Sequence, residues 1–342
     1  MNSKPRPKPL IAITMGDPAG IGPEIILKAF ESTEYPIDSS NIIIIGDACV
    51  MEQAQNSLKS FPPIHVISST NEIAPFSLNM IDVKQIACTD FTTGQVSAAC
   101  GKAAYRYIST AIELALKNEV AAMVTCPINK EALHLAGFNF PGHTEILAEQ
   151  CGVKDYSMLF YLDGVAVTHV TTHTSLKNAI EAIHAPLIGT HIRLLNETLK
   201  RLGHPAPRIA VAGLNPHAGE HGLFGNEEIN HIIPAIEQAQ KEGVTVSGPF
   251  PPDTVFMRAF EQEFNGVVSM IHDHGFVALK SRDFKSGVNI TVGLPIIRTS
   301  VGHGTAFDIV GKDKASPKSL IEAVKVAIRL WENRHKMEIV TN

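Results

Sequence analysis

At 342 residues the chain is long enough for two domains, or for one large domain with a deep cleft. Its 44% hydrophobic and 18% charged residues are those of a globular enzyme and exclude a disordered chain. A formal charge of −5 argues against a nucleic-acid partner, so any anionic ligand must be held by a local cluster of cations.

The first ten residues, MNSKPRPKPL, are basic and proline-rich and are expected to be frayed. They contain no apolar secretory run. The five cysteines, Cys49, Cys88, Cys100, Cys126 and Cys151, form no CxxC pair. Together these features predict reduced thiols in a soluble cytoplasmic protein. Short aliphatic runs predict strands at Leu10–Met15 and Ile42–Gly46, with a helix opening at Pro23 between them, where a missing N–H costs nothing. The run IIIIG is far too short to cross a bilayer. An amphipathic pattern predicts a helix over Val96–Leu116, followed by the strand AAMVT.

Further on come a helix near Thr144–Glu149, strands at Ser157–Leu162 and Val165–Val170, and a helix at Pro186–Leu202. A strand at Arg208–Gly213, a helix at Asn226–Lys241 and strands at Val267–Ile271 and Val288–Val292 follow, with a last helix over Pro317–Trp331. Such alternation means an α/β architecture with a mostly parallel sheet.

Three histidines lie just past apolar runs: His173 after VAVTHVTT, His217 after RIAVAGLNP and His272 after VVSMI. Ligands of open α/β sheets bind beyond the carboxyl ends of the strands. Imidazoles delivered there are either loop residues with ordinary hydrogen bonds or three ligands of one divalent metal with an open position. PGHTEIL puts His143 and Thr144 at a helix start, which suits either a plain N-cap at Thr144 or a bound anion. Lys280, Asn289 and Arg298 flank glycine turns in an apolar region. They are either satisfied by structural pairs or, with the Gly-His-Thr turn, form a phosphate or carboxylate pocket. GDPAGIGPE has no third glycine at Ile25 and no GK[ST], so its glycines are expected to shape a strand-to-helix turn rather than a nucleotide loop.

In order, GDPAGIGPE, PGHTE, TTH, LNPHAGE, HDHG, GVNIT, GLPIIRTS and HGTAFDIVGK resemble the 4-hydroxythreonine-4-phosphate dehydrogenase family of pyridoxal phosphate biosynthesis, over nearly the whole chain. HGTAFDIVGK also resembles the cofactor loop of isocitrate and isopropylmalate dehydrogenases. The resemblance implies a three-layer α/β/α fold of that class with two domains and a cleft between them. We expect an outer domain of 1–130 plus 300–342 and a central domain of 131–299.

It further implies His173, His217 and His272 as ligands of one divalent metal per subunit, zinc or cobalt suiting histidine better than magnesium. His143, Thr144, Lys280, Asn289 and Arg298 would contact substrate. His303, Gly304, Thr305 and Asp308 would cradle NAD or NADP, and Asp253 and Lys280 are the candidates for proton transfer. The expected partners are a small phosphorylated substrate and a second copy of the chain, with the active site at the homodimer interface and no nucleic acid or membrane.

The implied reaction oxidises 4-phosphooxy-L-threonine to 2-amino-3-oxo-4-phosphooxybutanoate, which decarboxylates to 3-amino-2-oxopropyl phosphate. Related enzymes oxidise D-threonate or D-erythronate 4-phosphate, and three histidines around an open position would also suit a metal-dependent hydrolase. Two residues depart from the family pattern: His274 where it has Gln, and Gly302 where it has Asp.

Overall fold

A computed structural model describes residues 8–34, 39–58, 62–283 and 286–341. Residues 1–7, most of the segment expected to be frayed, lie outside these. The chain packs as two compact units, Met1–Gly152 with Pro295–Trp331 and Val153–Leu294 with Glu332–Asn342. Residues 131–152 and 295–299, expected with the central domain, pack with the first unit.

In chain order the first unit runs β1 (Ile11–Thr14), α1 (Gly22–Glu31), β2 (Ile42–Gly46), α2 (Ala48–Leu58), β3 (Ile64–Ile67) and β4 (Leu78–Asp82). It continues through α3 (Ala98–Leu116), β5 (Ala122–Thr125), α4 (Lys130–Leu135) and α5 (His143–Gln150). The second unit holds β6 (Ser157–Leu162), β7 (Val165–His169), α6 (Leu176–Ala182), α7 (Ala185–Arg201), β8 (Ile209–Ala212) and α8 (Ile233–Lys241). β9 (Val246–Phe250), α9 (Val255–Phe260), β10 (Gly266–Ser269), α10 (His272–Asp283) and β11 (Val288–Val292) complete its succession. The chain then adds β12 (Arg298–Val301) to the first unit and closes with α11 (Lys318–Thr341).

In the first unit the strands lie in the order β3-β4-β2-β1-β5-β12, every pair parallel. The central strands IAIT, IIIIG and AMVT are buried along their length, which is why they read as continuous apolar runs rather than alternating ones. Ser97 caps α3 by accepting from the Cys100 N–H, and α3 buries Cys100, Ala104, Ile108 and Ile112 as its periodicity requires.

In the second unit the order is β11-β6-β7-β10-β8-β9. Here β7, β10, β8 and β9 are parallel, and β6 is antiparallel to both neighbours. Phe160, Val167, Ala210, Phe256, Phe264 and Val267 form its core. The helix expected over Asn226–Lys241 is divided into a π-helical turn at Glu228–Ile232 and α8. Pro234 sits in the first turn of α8 and has no N–H with which to continue an unbroken ladder.

Candidate active site

In the second unit, β7, β10 and β8 are adjacent and parallel, so their carboxyl ends share one edge. His173 follows β7, His272 opens α10 directly after β10, and His217 lies in the loop after β8. Pairing continues past the strand ends: the Thr171 N–H and hydroxyl both donate to the Met270 carbonyl, at 3.2 and 2.9 Å. This ties the His173 and His272 segments together. The ring centroids of His173 and His272 are 6.1 Å apart. Two imidazoles sharing a tetrahedral ion at bonds of about 2 Å have centroids about 5 Å apart, so these rings stand about 1 Å further apart than a common metal would hold them. Nδ1 of His272 is 2.8 Å from Oδ1 of Asp273. A carboxylate on Nδ1 fixes the ring and leaves Nε2 as the nitrogen that could bind a metal, and the same contact holds the Asp273 carboxyl below its usual range.

His217 is presented by the first of five consecutive residues in the left-handed region, His217 to His221, with φ between 41° and 79°. Non-glycine residues there cost roughly 1–2 kcal/mol each. Among the described residues of one chain, no group of three His, Cys, Asp or Glu side chains is placed to hold a metal. The chain brings His173 and His272 together without assembling the full trio.

The helix α10 adds what its sequence concealed. His272, Phe276 and Lys280 recur every fourth residue on one face. The Phe276 ring lies 4.5 Å from the His272 ring, and the Lys280 ammonium stands 5.4 Å from the Phe276 centroid. Behind them His169 stacks on Phe276 at 4.5 Å and 3°, 6.0 Å from His272. His169 is buried with neither ring nitrogen hydrogen-bonded. Burial, then the charges of His272 and His191, push its pKa down to about 3, so it is neutral at pH 7. Sequence reading missed His169 because it ends an apolar run and looked like strand interior. Asn289 lies on β11 opposite Phe160, its Oδ1 buried without a partner. Asp253 lines a different pocket from His173, shared with Asp163, Asp273, His274 and Arg282.

The first unit carries the anion elements. Gly142, not Thr144, is the N-cap of α5, with no side-chain cap bond. Thr144 is already inside the helix, so its hydroxyl is not used for capping. Arg298 opens β12, is only 1% exposed, and donates from Nη2 to the Thr125 hydroxyl at 2.7 Å. Burial lowers its pKa to about 9, with the Glu145 carboxylate pulling it back, so it stays charged at pH 7. His143 is driven well below 6.5 by burial, then by Arg298 and Lys130. It hydrogen-bonds the Cys126 backbone, while its Nε2 is buried and unpartnered. A helix start, a buried guanidinium and a lysine that acts electrostatically on His143 are elements that could hold an anion. Lys130 was not singled out in sequence, although it stands in CPINK at the end of β5.

Also in the first unit, the 302–308 loop docks on the glycine turn after β1. The Ile21 N–H donates to the Thr305 carbonyl at 3.1 Å, and a Cβ at Gly20 would stand 3.2 Å from the Thr305 Cβ. Gly20 therefore permits the close approach, in line with a turn-shaping role. His303 reaches the Gly304 carbonyl through Nδ1 and keeps a buried, unpartnered Nε2. Asp308 accepts Lys312 at its backbone carbonyl.

A sequence profile of the pyridoxal phosphate biosynthetic protein PdxA matches residues 38–327. The chain belongs to the PdxA family. It is 46% identical over 325 residues to the D-threonate 4-phosphate dehydrogenase of Salmonella typhimurium, covering 94% of this chain and 98% of that protein. It is also 46% identical over 326 residues to the 4-hydroxythreonine-4-phosphate dehydrogenase of Desulfosudis oleivorans, covering 94% and 96%. The crystal structure of 4-hydroxythreonine-4-phosphate dehydrogenase from Klebsiella pneumoniae superposes with a TM-score of 0.85 at 43% identity, over 95% of this chain and 100% of that one. The α/β class expected from the sequence is therefore the fold of this dehydrogenase family, and the chain is a dehydrogenase. No helix among the described residues is long and apolar enough to cross a membrane.

Proposed function

We propose that the chain oxidises the C3 hydroxyl of a four-carbon 4-phosphorylated hydroxy acid, with NAD or NADP as oxidant and a divalent metal at the histidines. The observation that carries this reading is the delivery of His173, His217 and His272 from the carboxyl ends of three neighbouring parallel strands, with Asp273 already set on His272. When bound, the metal supplies Lewis acidity toward the hydroxyl and the nicotinamide accepts the hydride. His173 and His272 would hold the ion from one chain, and His217 would serve an ion shared with a second copy. The segment after His217 supports that assembly, because Leu223, Phe224 and, in the π-helical turn, Ile229 are 72%, 48% and 46% exposed.

Arg298, His143 and the first N–H groups of α5 would grip the phosphate, Arg with two parallel N–H bonds. Asn289 would orient the substrate through its unpartnered Oδ1. Lys280, on the helix face that bears His272, would take the proton released at C3. Asp253, which lines the pocket shared with His274, would be the alternative proton carrier. The Gly302–Asp308 loop would hold the cofactor, His303 Nε2 offering a buried polar atom to it.

The two substrates named among the relatives differ at C2, an ammonium in 4-phosphooxy-L-threonine and a hydroxyl in D-threonate 4-phosphate. Among the described residues lining the pocket with His173 and His272, the one carboxylate is Asp273, and it is engaged by His272. Turnover of each of the two substrates therefore decides between an ammonium and a hydroxyl at C2. Purified protein with NAD or NADP, Zn²⁺ or Co²⁺ and each substrate, followed at the reduced-nicotinamide absorbance, tests this. Turnover of a 4-phosphorylated hydroxy acid is expected. Phosphate release without nicotinamide would instead establish a hydrolase.

A further inference from the structure

The turn that carries His217 stands in a conformation that L residues avoid, so something must hold it. Asn215 lies two residues before His217 and Gly219 two residues after, and both rest on the same side chain. Glu228, 2% exposed in the π-helical turn before α8, accepts from the Leu214 and Asn215 backbone N–H groups through Oε1, each at 2.8 Å. Its Oε2 accepts from Asn215 Nδ2 at 2.9 Å. On the other side, Gly219 (φ +79°) lies so close that a Cβ there would fall 2.6 Å from Oε2. The carboxylate therefore ties the turn at its entry by three hydrogen bonds and packs directly against it at Gly219. The first left-handed residue, His217, lies between the tied segment at Asn215 and the close approach at Gly219. Buried carboxylates that accept several N–H bonds are well satisfied and rigid.

We propose that Glu228 is a positioning residue that sets the His217 imidazole in its ligating geometry. The proposal rests on the reading of His217 as a metal ligand. It assigns Glu228 no contact with metal or substrate: it acts through the backbone of residues 214–219.

The test measures Co²⁺ binding by visible absorption, together with hydrogen exchange at the Leu214 and Asn215 amides, in variants whose fold is verified by circular dichroism. Glu228→Ala removes all three hydrogen bonds. It should weaken Co²⁺ binding about 10–100-fold, as outer partners of metal ligands do, and speed exchange at both amides. Glu228→Gln can keep both backbone bonds through its carbonyl and should stay within about threefold of wild type. A purely structural role would lower thermal stability in Glu228→Ala and leave Co²⁺ affinity of the folded protein unchanged. Where the alanine variant does not fold, Glu228→Asp, which draws the carboxylate back by one methylene, is expected to show the same loss. His217→Ala run in parallel separates the two readings. If it loses Co²⁺ and folded Glu228→Ala or Glu228→Asp does not, the positioning role is wrong. If His217→Ala binds Co²⁺ as wild type does, the ligand reading fails and the proposal falls with it.

Discussion

Arg298 is the residue whose replacement separates the cost of the site from its use. Its guanidinium is 1% exposed, reaches Thr125 at 2.7 Å, and has been pushed down to about 9 by burial. A desolvated cation of this kind is held at a cost to the free protein, and an arriving phosphate offsets it. Arg298→Met keeps an apolar side chain of similar reach and removes the charge. Replacing whole buried ion pairs by apolar groups is often neutral or stabilising by about 1–4 kcal/mol, but Arg298→Met also leaves the Thr125 hydroxyl and the Glu145 carboxylate without their partner, so the ligand-free variant should lose no more than about 1–3 kcal/mol. The same change should lower kcat/KM by about 10- to 150-fold, the equivalent of one charge-assisted contact of about 1.5–3 kcal/mol. Inorganic phosphate at about 100 times its Kd should stabilise wild type by about 2.7 kcal/mol and the variant far less. Thermal unfolding with and without phosphate reads both effects. Equal phosphate stabilisation of the two proteins would show that Arg298 does not face the anion, and a sharp loss of ligand-free stability would show that its role is structural.

Asp273→Asn should free the His272 ring and cut zinc affinity by about 10–100-fold while the fold persists, measured by chelator competition. His191, hydrogen-bonded to Ser157 and Thr168, is lowered by burial from the usual 6.5 to about 4. The native state thus binds fewer protons there than the unfolded chain, and stability falls as pH drops from 6.5 toward 4, by about 3 kcal/mol for this group. Asp17, raised by burial to about 6, acts in the opposite sense, so the comparison is between wild type and His191→Asn, whose denaturant midpoints should decline less steeply over that range. Mixing inactive His217→Ala with inactive His272→Ala should restore activity if His217 serves an ion held by the other copy. Mixing His173→Ala with His272→Ala should not, since those rings are neighbours in one chain.

The strands that position the site were legible because they are buried on both faces and so appear as unbroken β-branched runs, as in IAIT, IIIIG and VAVTH. The strands that were missed lack that signal for separate reasons. β3 is half exposed, β4 is the short mixed run LNMID with a buried Asn79 and a half-buried end, β9 contains Gly and Pro, and β12 is the polar sequence RTSV, buried because Arg298 and Thr299 find internal partners. α10 was invisible because HDHGFVALKSRD has no apolar stripe. Its regularity lies in the spacing of His272, Phe276 and Lys280, which is a functional pattern and not a packing one.

The same distinction explains what could be read of the site. A ligand such as His272 announces itself by residue type next to a strand end. Its supports do not, because their effect depends on distance in space. His169 looked like strand interior until Phe276 was found stacked on it, and Glu228 is one of two adjacent acids in an ordinary helical sequence. Only the fold shows that its carboxylate lies under residues 214–219. A residue type with intrinsic chemistry can be recognised one position at a time, whereas a clamp is a relation between segments. The strained turn at His217–His221 is the sign by which such a relation can be sought, since left-handed non-glycine backbone persists only where the surroundings over-determine it.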